Sequence, residues 1–199
     1  MHTIRLFFFN KKWRKMNRDN STTASCVFPK QSVKVGYGTY GNLNFLWFDN
    51  NAKVVIGNYV SIGPNVMFLV GGEHNYKRIT TYPFQSMIYH QKLNKPLCNN
   101  IIVEDDVWIG YNALIMPGVR IGQGSVIAAR SIVTTDVPPY SIYIGTSVRK
   151  KRFSDEIIRE LQSLDYSKIR HKAGDKYEEY CQIEITEDNA LELIEAFKS

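Results

Sequence analysis

His74 is the side chain best suited to moving a proton in this sequence. It follows Gly71-Gly72-Glu73, so the chain can bend closely around a ligand there, and imidazole ordinarily changes protonation near neutral pH. Tyr76, Tyr82, Phe84 and Tyr89 come soon after it and offer aromatic faces to a flat or ring-shaped ligand. A second cluster, Arg149-Lys150-Lys151-Arg152, supplies guanidinium and ammonium groups suited to phosphates, or reads equally as a solvated end of the fold. Metal chemistry has little to work with. The histidines are His2, His74, His90 and His171, none of them between Val103 and Pro138, whereas a catalytic zinc of the histidine type needs about three per ion. Cys26, Cys98 and Cys181 are odd in number and lack paired short spacings, which argues against a disulfide framework and fits a reducing compartment.

The elements that must position these groups are written in a six-residue period. Val103, Ile109, Ile115, Ile121, Ile127 and Val133 open successive hexads, and the fifth positions are Val107, Ala113, Val119, Ser125, Ser131 and Val137. Helices and strands have side-chain periods near 3.6 and 2, so this pattern fits neither. It fits a solenoid of three flat faces with eighteen residues per turn, whose aliphatic residues stack from coil to coil. A β-sandwich with strands six residues apart is the alternative, and six unbroken hexads weigh against it. The phase extends back to Ile56-Gly57 and Ile62-Gly63, with Val54, Val60 and Val66 at fifth positions, while Val35-Gly36 stands out of register and predicts an irregular first coil. Between Met67 and Ile101 the period stops. An excursion of this length inside a compact repeat is uncommon unless it serves a purpose, and it carries His74.

The expected organisation is an N-terminal basic and apolar helix with its linker over 1–32, a β-helix over 33–150 with the excursion at about 70–100, and a helical cap over 151–199. Residues 1–18 join Ile4-Arg5-Leu6-Phe7-Phe8-Phe9 to Lys11, Lys12, Arg14, Lys15 and Arg18. The apolar stretch is too short to span a bilayer and no small-residue cleavage site follows it. Two readings stay open for it: a helix packing aromatics on the solenoid end, or peripheral attachment to an acidic membrane face. Near the other end, Ser154 is an N-cap candidate before Asp155-Glu156-Ile157-Ile158, and a second helix is expected over Asp188 to Phe197, the two together covering the open end of the solenoid. The formal charge of +6 favours anionic ligands but does not choose among phosphates, nucleic acid and a membrane surface.

A resemblance rests on motifs in fixed order. Ile62-Gly63-Pro64-Asn65-Val66, Gly71-Gly72-Glu73-His74-Asn75, Thr81-Tyr82-Pro83-Phe84, Asp106-Val107-Trp108-Ile109-Gly110, Met116-Pro117-Gly118-Val119, Asp136-Val137-Pro138-Pro139-Tyr140 and Lys150-Lys151-Arg152-Phe153 resemble the xenobiotic acetyltransferases that act on chloramphenicol and streptogramins. These belong to the hexapeptide-repeat acyltransferases, and the resemblance spans roughly residues 33 to 165. It implies an all-β solenoid, a left-handed parallel β-helix with a long excursion loop and terminal α-helices, assembling as a homotrimer and using acetyl-CoA without a metal.

By the same resemblance His74 is the general base that takes a proton from an acceptor hydroxyl as it attacks the thioester. Trp108, Glu73 and Asn75 line the pocket; the Trp108 indole is either an oxyanion donor or a wall or subunit contact, and Glu73 either orients a neighbour or is solvated. Tyr76, Tyr82 and Phe84 fall to the acceptor, and Tyr111, Ala129, Thr134, Thr135, Arg149, Lys150 and Arg152 to acetyl-CoA. Two departures stand out: Ile127-Ala128-Ala129-Arg130-Ser131 puts a cation where relatives have glycine, and Gly145-Thr146-Ser147-Val148 replaces Gly-Asn-Pro-Ala. Arg130 points either to solvent or to a phosphate. The leading expectation is an acetyl-CoA-dependent O-acetyltransferase acting on a sugar hydroxyl in bacterial surface polysaccharide or glycan assembly, cytoplasmic or peripheral at the inner membrane face, with a carbohydrate and no nucleic acid as partner. An antibiotic acetyltransferase is the alternative, followed by an N-acetyltransferase for a nucleotide-linked amino sugar; a non-enzymatic solenoid scaffold is the reading from another class.

Overall fold

Each hexad buries its first and fifth residues and uses the rest to turn a corner. Val103, Ile109, Ile115, Ile121, Ile127 and Val133 are at most 1% exposed, and Val107, Ala113 and Val119 at most 2%. The computed structural model describes residues 2–91, 99–169 and 179–198; residues 92–98 of the expected excursion and 170–178 of the expected cap, with Cys98 and His171 among them, lie outside the described residues.

Three sheets result. The first runs β1 (Ser21–Ala24), β3 (Tyr40–Leu43), β6 (Ser61–Ile62), β9 (Trp108–Ile109), β12 (Val126–Ile127), β14 (Ser141–Ile144) and β15 (Ser147–Lys151). The second holds β4 (Phe45–Trp47), β7 (Met67–Val70), β10 (Leu114–Ile115) and β13 (Ile132–Val133), and the third β2 (Val33–Val35), β5 (Val54–Ile56), β8 (Ile101–Val103) and β11 (Arg120–Ile121). The chain visits the third, first and second sheets in turn, and all pairings are parallel except β14 with β15. Ile62, Ile109 and Ile127 therefore stack in one inward column, continued by Tyr143. Where Tyr140 and Tyr143 fill the last coil, the fifth positions shrink to the buried Ser125 and Ser131; the Ser125 hydroxyl donates to the Pro138 carbonyl at 2.8 Å.

The corners are backbone-specific. In the column between the third and first sheets, Gly38, Tyr59, Asp106, Gly124 and Tyr140 all have positive φ; between the first and second sheets the same holds for Asn65, Asn112 and Arg130. The first coil is irregular, as the phase break at Val35-Gly36 predicts: Val35 keeps its pairing with Ile56, but Tyr40 and Phe45 stand two residues closer in sequence than their partners Ser61 and Phe68, and the run 48–53 more than makes up the difference before β5.

The open edge of β1 is closed by α1 (His2–Met16). Asn10 acts as a strand substitute: its Oδ1 accepts from the Ala24 N–H at 2.7 Å and its Nδ2 donates to the Ala24 carbonyl at 2.9 Å. Arg14 donates to the Thr22 carbonyl at 3.2 Å, and the Trp13 indole N–H to the Thr22 hydroxyl at 3.0 Å. Phe9 and Trp13 meet Phe28 edge-on, with ring centroids 4.9 and 5.1 Å away. An exposed edge strand is a template for unwanted pairing, and this helix removes it.

The other end differs from expectation. The last edge of the first sheet is covered by antiparallel β15, not by helices. Helices α3 (Asp155–Leu161) and α4 (Tyr166–Ile169) and the last helix, Ala190–Lys198, lie instead along the third-to-first corner: Ile157, Ile158, Leu161 and Ile194 pack on Tyr140, and the Tyr166 ring reaches Tyr59 at 6.1 Å. The physical reason is that this corner stacks large aromatics that need cover. Ser154 precedes α3 without a side-chain cap bond; its hydroxyl donates to Glu187 at 3.3 Å.

Candidate active site

Gly71 and Gly72, with φ of 74° and 100°, turn the chain out of the second sheet. A Cβ on Gly71 would come within 2.7 Å of the Asp49 Cβ, and one on Gly72 within 2.8 Å of the Phe48 ring, so the exit admits no side chain. His74 follows on an exposed loop, and its Nδ1 lies 2.8 Å from the Thr81 carbonyl oxygen. A carbonyl only accepts, so the neutral ring carries its proton on Nδ1 and keeps a lone pair on Nε2. The tautomer required of a general base is thereby selected by backbone.

Local turns hold that carbonyl in place. Asn75 Oδ1 accepts from the Lys77 N–H at 3.0 Å, and the Tyr82 N–H donates to the Thr80 hydroxyl at 3.2 Å. Glu73 accepts from Asn99 Nδ2 at 3.4 Å, so it braces the two ends of the excursion while Thr81 orients His74. Thr81 is the contributor sequence reasoning missed: a main-chain oxygen carries no side-chain signal. Tyr82 and Phe84 pack edge-on at 4.8 Å, Phe84 opening the short helix α2 (Phe84–Met87), and Tyr76 stands out at 78% exposure.

The remaining site residues lie on other faces of the prism. Trp108 points outward from the first sheet between Ser61 and Val126 and is 58% exposed. Tyr111 and Ala129 are exposed on consecutive coils at the first-to-second corner, joined by the Arg130 N–H donating to the Tyr111 carbonyl at 2.8 Å. Arg130 occupies the left-handed position, φ 59°, directly after this pair. Thr134 and Thr135 are exposed just past β13, and Arg149 and Lys150 are exposed on β15. Lys150 pairs with Ile142, so Trp108, Val126, Ile142 and Lys150 form one outward row across three strand spacings, about 14 Å.

Arg152 is occupied elsewhere. Its Nη1 donates to the Gly124 carbonyl at 2.6 Å and lies 3.8 Å from Asp106, with the guanidinium over the Tyr140 and Phe153 rings. Burial pushes the Asp106 carboxyl above its ordinary range, while Arg152 and the Tyr166 hydroxyl pull the other way. Burial likewise raises the Tyr140 and Tyr166 hydroxyls. This network ties α4 to the corner. Among the described residues no hydrogen bond or ion pair joins His74, Glu73 or Asn75 to Trp108, Tyr111 or Ala129: one group leaves at the second-to-third corner and the other occupies the first sheet and its corner.

Residues 100–135 match the family model described as bacterial transferase hexapeptide (six repeats). The chain is 38% identical over 127 residues to a chloramphenicol acetyltransferase of Klebsiella aerogenes, covering 59% of this chain and 60% of that protein, so it spans less than two thirds of that relative's length. It is 36% identical over 175 residues to a chloramphenicol acetyltransferase of Agrobacterium fabrum, covering 80% of this chain and 83% of that protein. A galactoside O-acetyltransferase of Lactococcus lactis is 33% identical over 125 residues, covering 63% of this chain and 55% of that protein. Among solved structures, a hexapeptide-repeat acetyltransferase of Vibrio cholerae complexed with acetyl coenzyme A superposes with a TM-score of 0.52 at 30% identity, covering 71% of this chain and 75% of that one. Repeat, stacked coils and the extent of the match to the Agrobacterium fabrum protein agree, and this chain belongs to the hexapeptide-repeat acetyltransferase family.

Proposed function

We propose that this protein is an acetyl-CoA-dependent O-acetyltransferase, built as a left-handed β-helix, that modifies a hydroxyl of a carbohydrate in surface-glycan assembly. The observation that carries the reading is the His74 Nδ1 contact to the Thr81 carbonyl at 2.8 Å, which leaves Nε2 free to accept a proton. Acetyl-CoA supplies the acyl group as an activated thioester. His74 takes the acceptor hydroxyl's proton as that oxygen bonds to the acyl carbon, and returns it to the departing sulfur. The donor fits the residues present: the small, exposed Ala129 beside Tyr111 leaves room for a narrow flexible arm, and Arg149 and Lys150 offer cations to phosphates at the end of the row from Trp108. Tyr76, Tyr82 and Phe84 present aromatic surface to a pyranose.

The two groups of site residues lie on different corners, and this supports a site shared between copies. In a cyclic trimer each contact joins two different patches. The first and second sheets present the outward rows Trp108-Val126-Ile142 and Met67-Leu114-Ile132, whereas in the third sheet's row, Lys34-Val55-Ile102-Arg120, the two aliphatic residues are flanked by cations. The arm of one copy then brings His74 to the Trp108 face of the next, where the indole N–H serves as a donor to the developing charge. The reducing cytoplasm suits Cys26 and Cys181, which are free thiols.

The second reading is an antibiotic acetyltransferase, favoured by the chloramphenicol acetyltransferases among the relatives. The test is acetyl-CoA consumption against sugars, nucleotide sugars, lipid-linked oligosaccharides, chloramphenicol and a streptogramin. Replacing the base is expected to lower kcat by about 10²–10⁴ in His74→Ala. Histidine-dependent transfer to a glycan supports the first reading, transfer to a drug alone supports the second, and turnover unchanged in His74→Ala removes both.

A further inference from the structure

The inner face of α1 is explained by the β1 edge; its outer face is not. Ile4, Phe8, Lys11 and Lys15 follow each other at spacings of four, three and four, which stacks them along one side of the helix. Ile4, Phe7, Phe8 and Met16 are 62%, 57%, 58% and 62% exposed. Arg5, Lys11, Lys12, Lys15 and Arg18 are exposed on or beside the same helix, and the first acid of the chain is Asp19. None of these five cations forms a salt bridge among the described residues; Lys11 sits over the Phe7 ring at 4.9 Å. Ile4, Phe7 and Phe8 lie in the first half of the helix and Lys11, Lys12 and Lys15 in the second, with Arg5 and Met16 outside this division. Phe7 and Phe8 meet edge-on at 5.7 Å, forming one apolar protrusion.

We propose that the outer face of α1 docks the protein on an anionic membrane surface, with Ile4, Phe7 and Phe8 entering the headgroup boundary and Lys11, Lys12, Lys15 and Arg18 pairing with lipid phosphates. Interfacial binding strengthens with the apolar area a helix buries and with the attraction of its cations to anionic lipids, and this face offers both. The helix lies on the bilayer and does not cross it: its fifteen residues are about 22 Å long, and no described helix is long and apolar enough to span. Charge complementarity selects this occupant. A second copy docking the same face would bring two acid-free basic surfaces together, and nucleic acid has no use for the exposed Ile4 and Phe8.

This inference is independent of the acyl-transfer reading, because no α1 residue belongs to the candidate site. Deleting residues 1–18 is the wrong test, since it would uncover Phe28 and the β1 edge. Instead, the full chain is cosedimented with vesicles of phosphatidylcholine alone and of phosphatidylcholine mixed with phosphatidylglycerol. Wild type is expected to bind only the mixed vesicles, with release at high salt. Phe7→Ser/Phe8→Ser and Lys11→Glu/Lys15→Glu are each expected to weaken that binding by about tenfold or more, with melting temperature unchanged, while Lys34→Glu on the third sheet leaves it intact. Absence of binding to mixed vesicles, equal binding to neutral ones, or unaltered binding by Phe7→Ser/Phe8→Ser would overturn the proposal. Retention on duplex DNA that is lost in Lys11→Glu/Lys15→Glu and kept in Phe7→Ser/Phe8→Ser would reassign the face to nucleic acid, and a change of sedimentation coefficient in Phe7→Ser/Phe8→Ser would reassign it to self-contact.

Discussion

His74 and Asp106 are two titratable side chains held by opposite means. The imidazole is exposed and oriented by a carbonyl seven residues away. The carboxyl of Asp106 sits at a left-handed corner, φ 57°, under α4, with its pKa raised by burial against the pull of Arg152. A raised carboxyl pKa means the folded state holds the proton more tightly than the unfolded chain does. Stability is therefore lost as pH rises from the ordinary value of 3.8 through the folded one. Asn tolerates the same backbone and carries no charge to bury. Asp106→Asn is expected to show a smaller loss of stability between acid and neutral pH than wild type, read from urea unfolding across that range; parallel profiles would show that desolvation does not dominate here. The sequence singled out His74 from its glycines, but not the Thr81 oxygen that fixes its tautomer. It marked Arg130 as a cation near the expected cofactor track, whereas the positive φ that this corner imposes on Arg130 emerges only from the stacked column.

At the scale of elements, the period-six pattern was legible because burial imposes it on every coil, and α1 and α3 were legible from their composition. What was hidden is how the ends are finished. Asn10 satisfies Ala24 across fourteen residues of sequence, a relation no local pattern contains. Asn10→Ala leaves the Ala24 N–H and carbonyl without their partner at a partly buried edge, and is expected to cost about 1–3 kcal/mol, measured by urea denaturation, with increased aggregation through the opened strand. A change within a few tenths would mean that water replaces the amide. The C-terminal helices were legible as helices but not in their place. Their destination is set by the stacked column of Tyr59, Asp106 and Tyr140, residues far apart in sequence that meet only because the coil returns to the same corner.

For the molecule as a whole, the apolar rows of the first and second sheets are the surfaces a prism would bury against its neighbours. Ile132, 43% exposed beside Leu114, lies at the end of one of them. A charge there is expected to separate the copies: Ile132→Glu should sediment as a smaller species and lose transfer activity together with assembly, while an unaltered oligomer would place the contact elsewhere. The excursion belongs to this scale too, because its ends are defined by the stack. Phe68 pairs with Ile115 and Ile102 with Arg120, so residues 71–100 stand where the next coil has Gly118 alone. The arm thus enters and leaves the wall through a gap one residue wide, bridged by Asn99 and Glu73. Evolution can lengthen, shorten or rewrite such an insert without disturbing a single rung above or below it. The excursion is therefore a detachable cassette, free to diverge while the spiral that carries it stays the same.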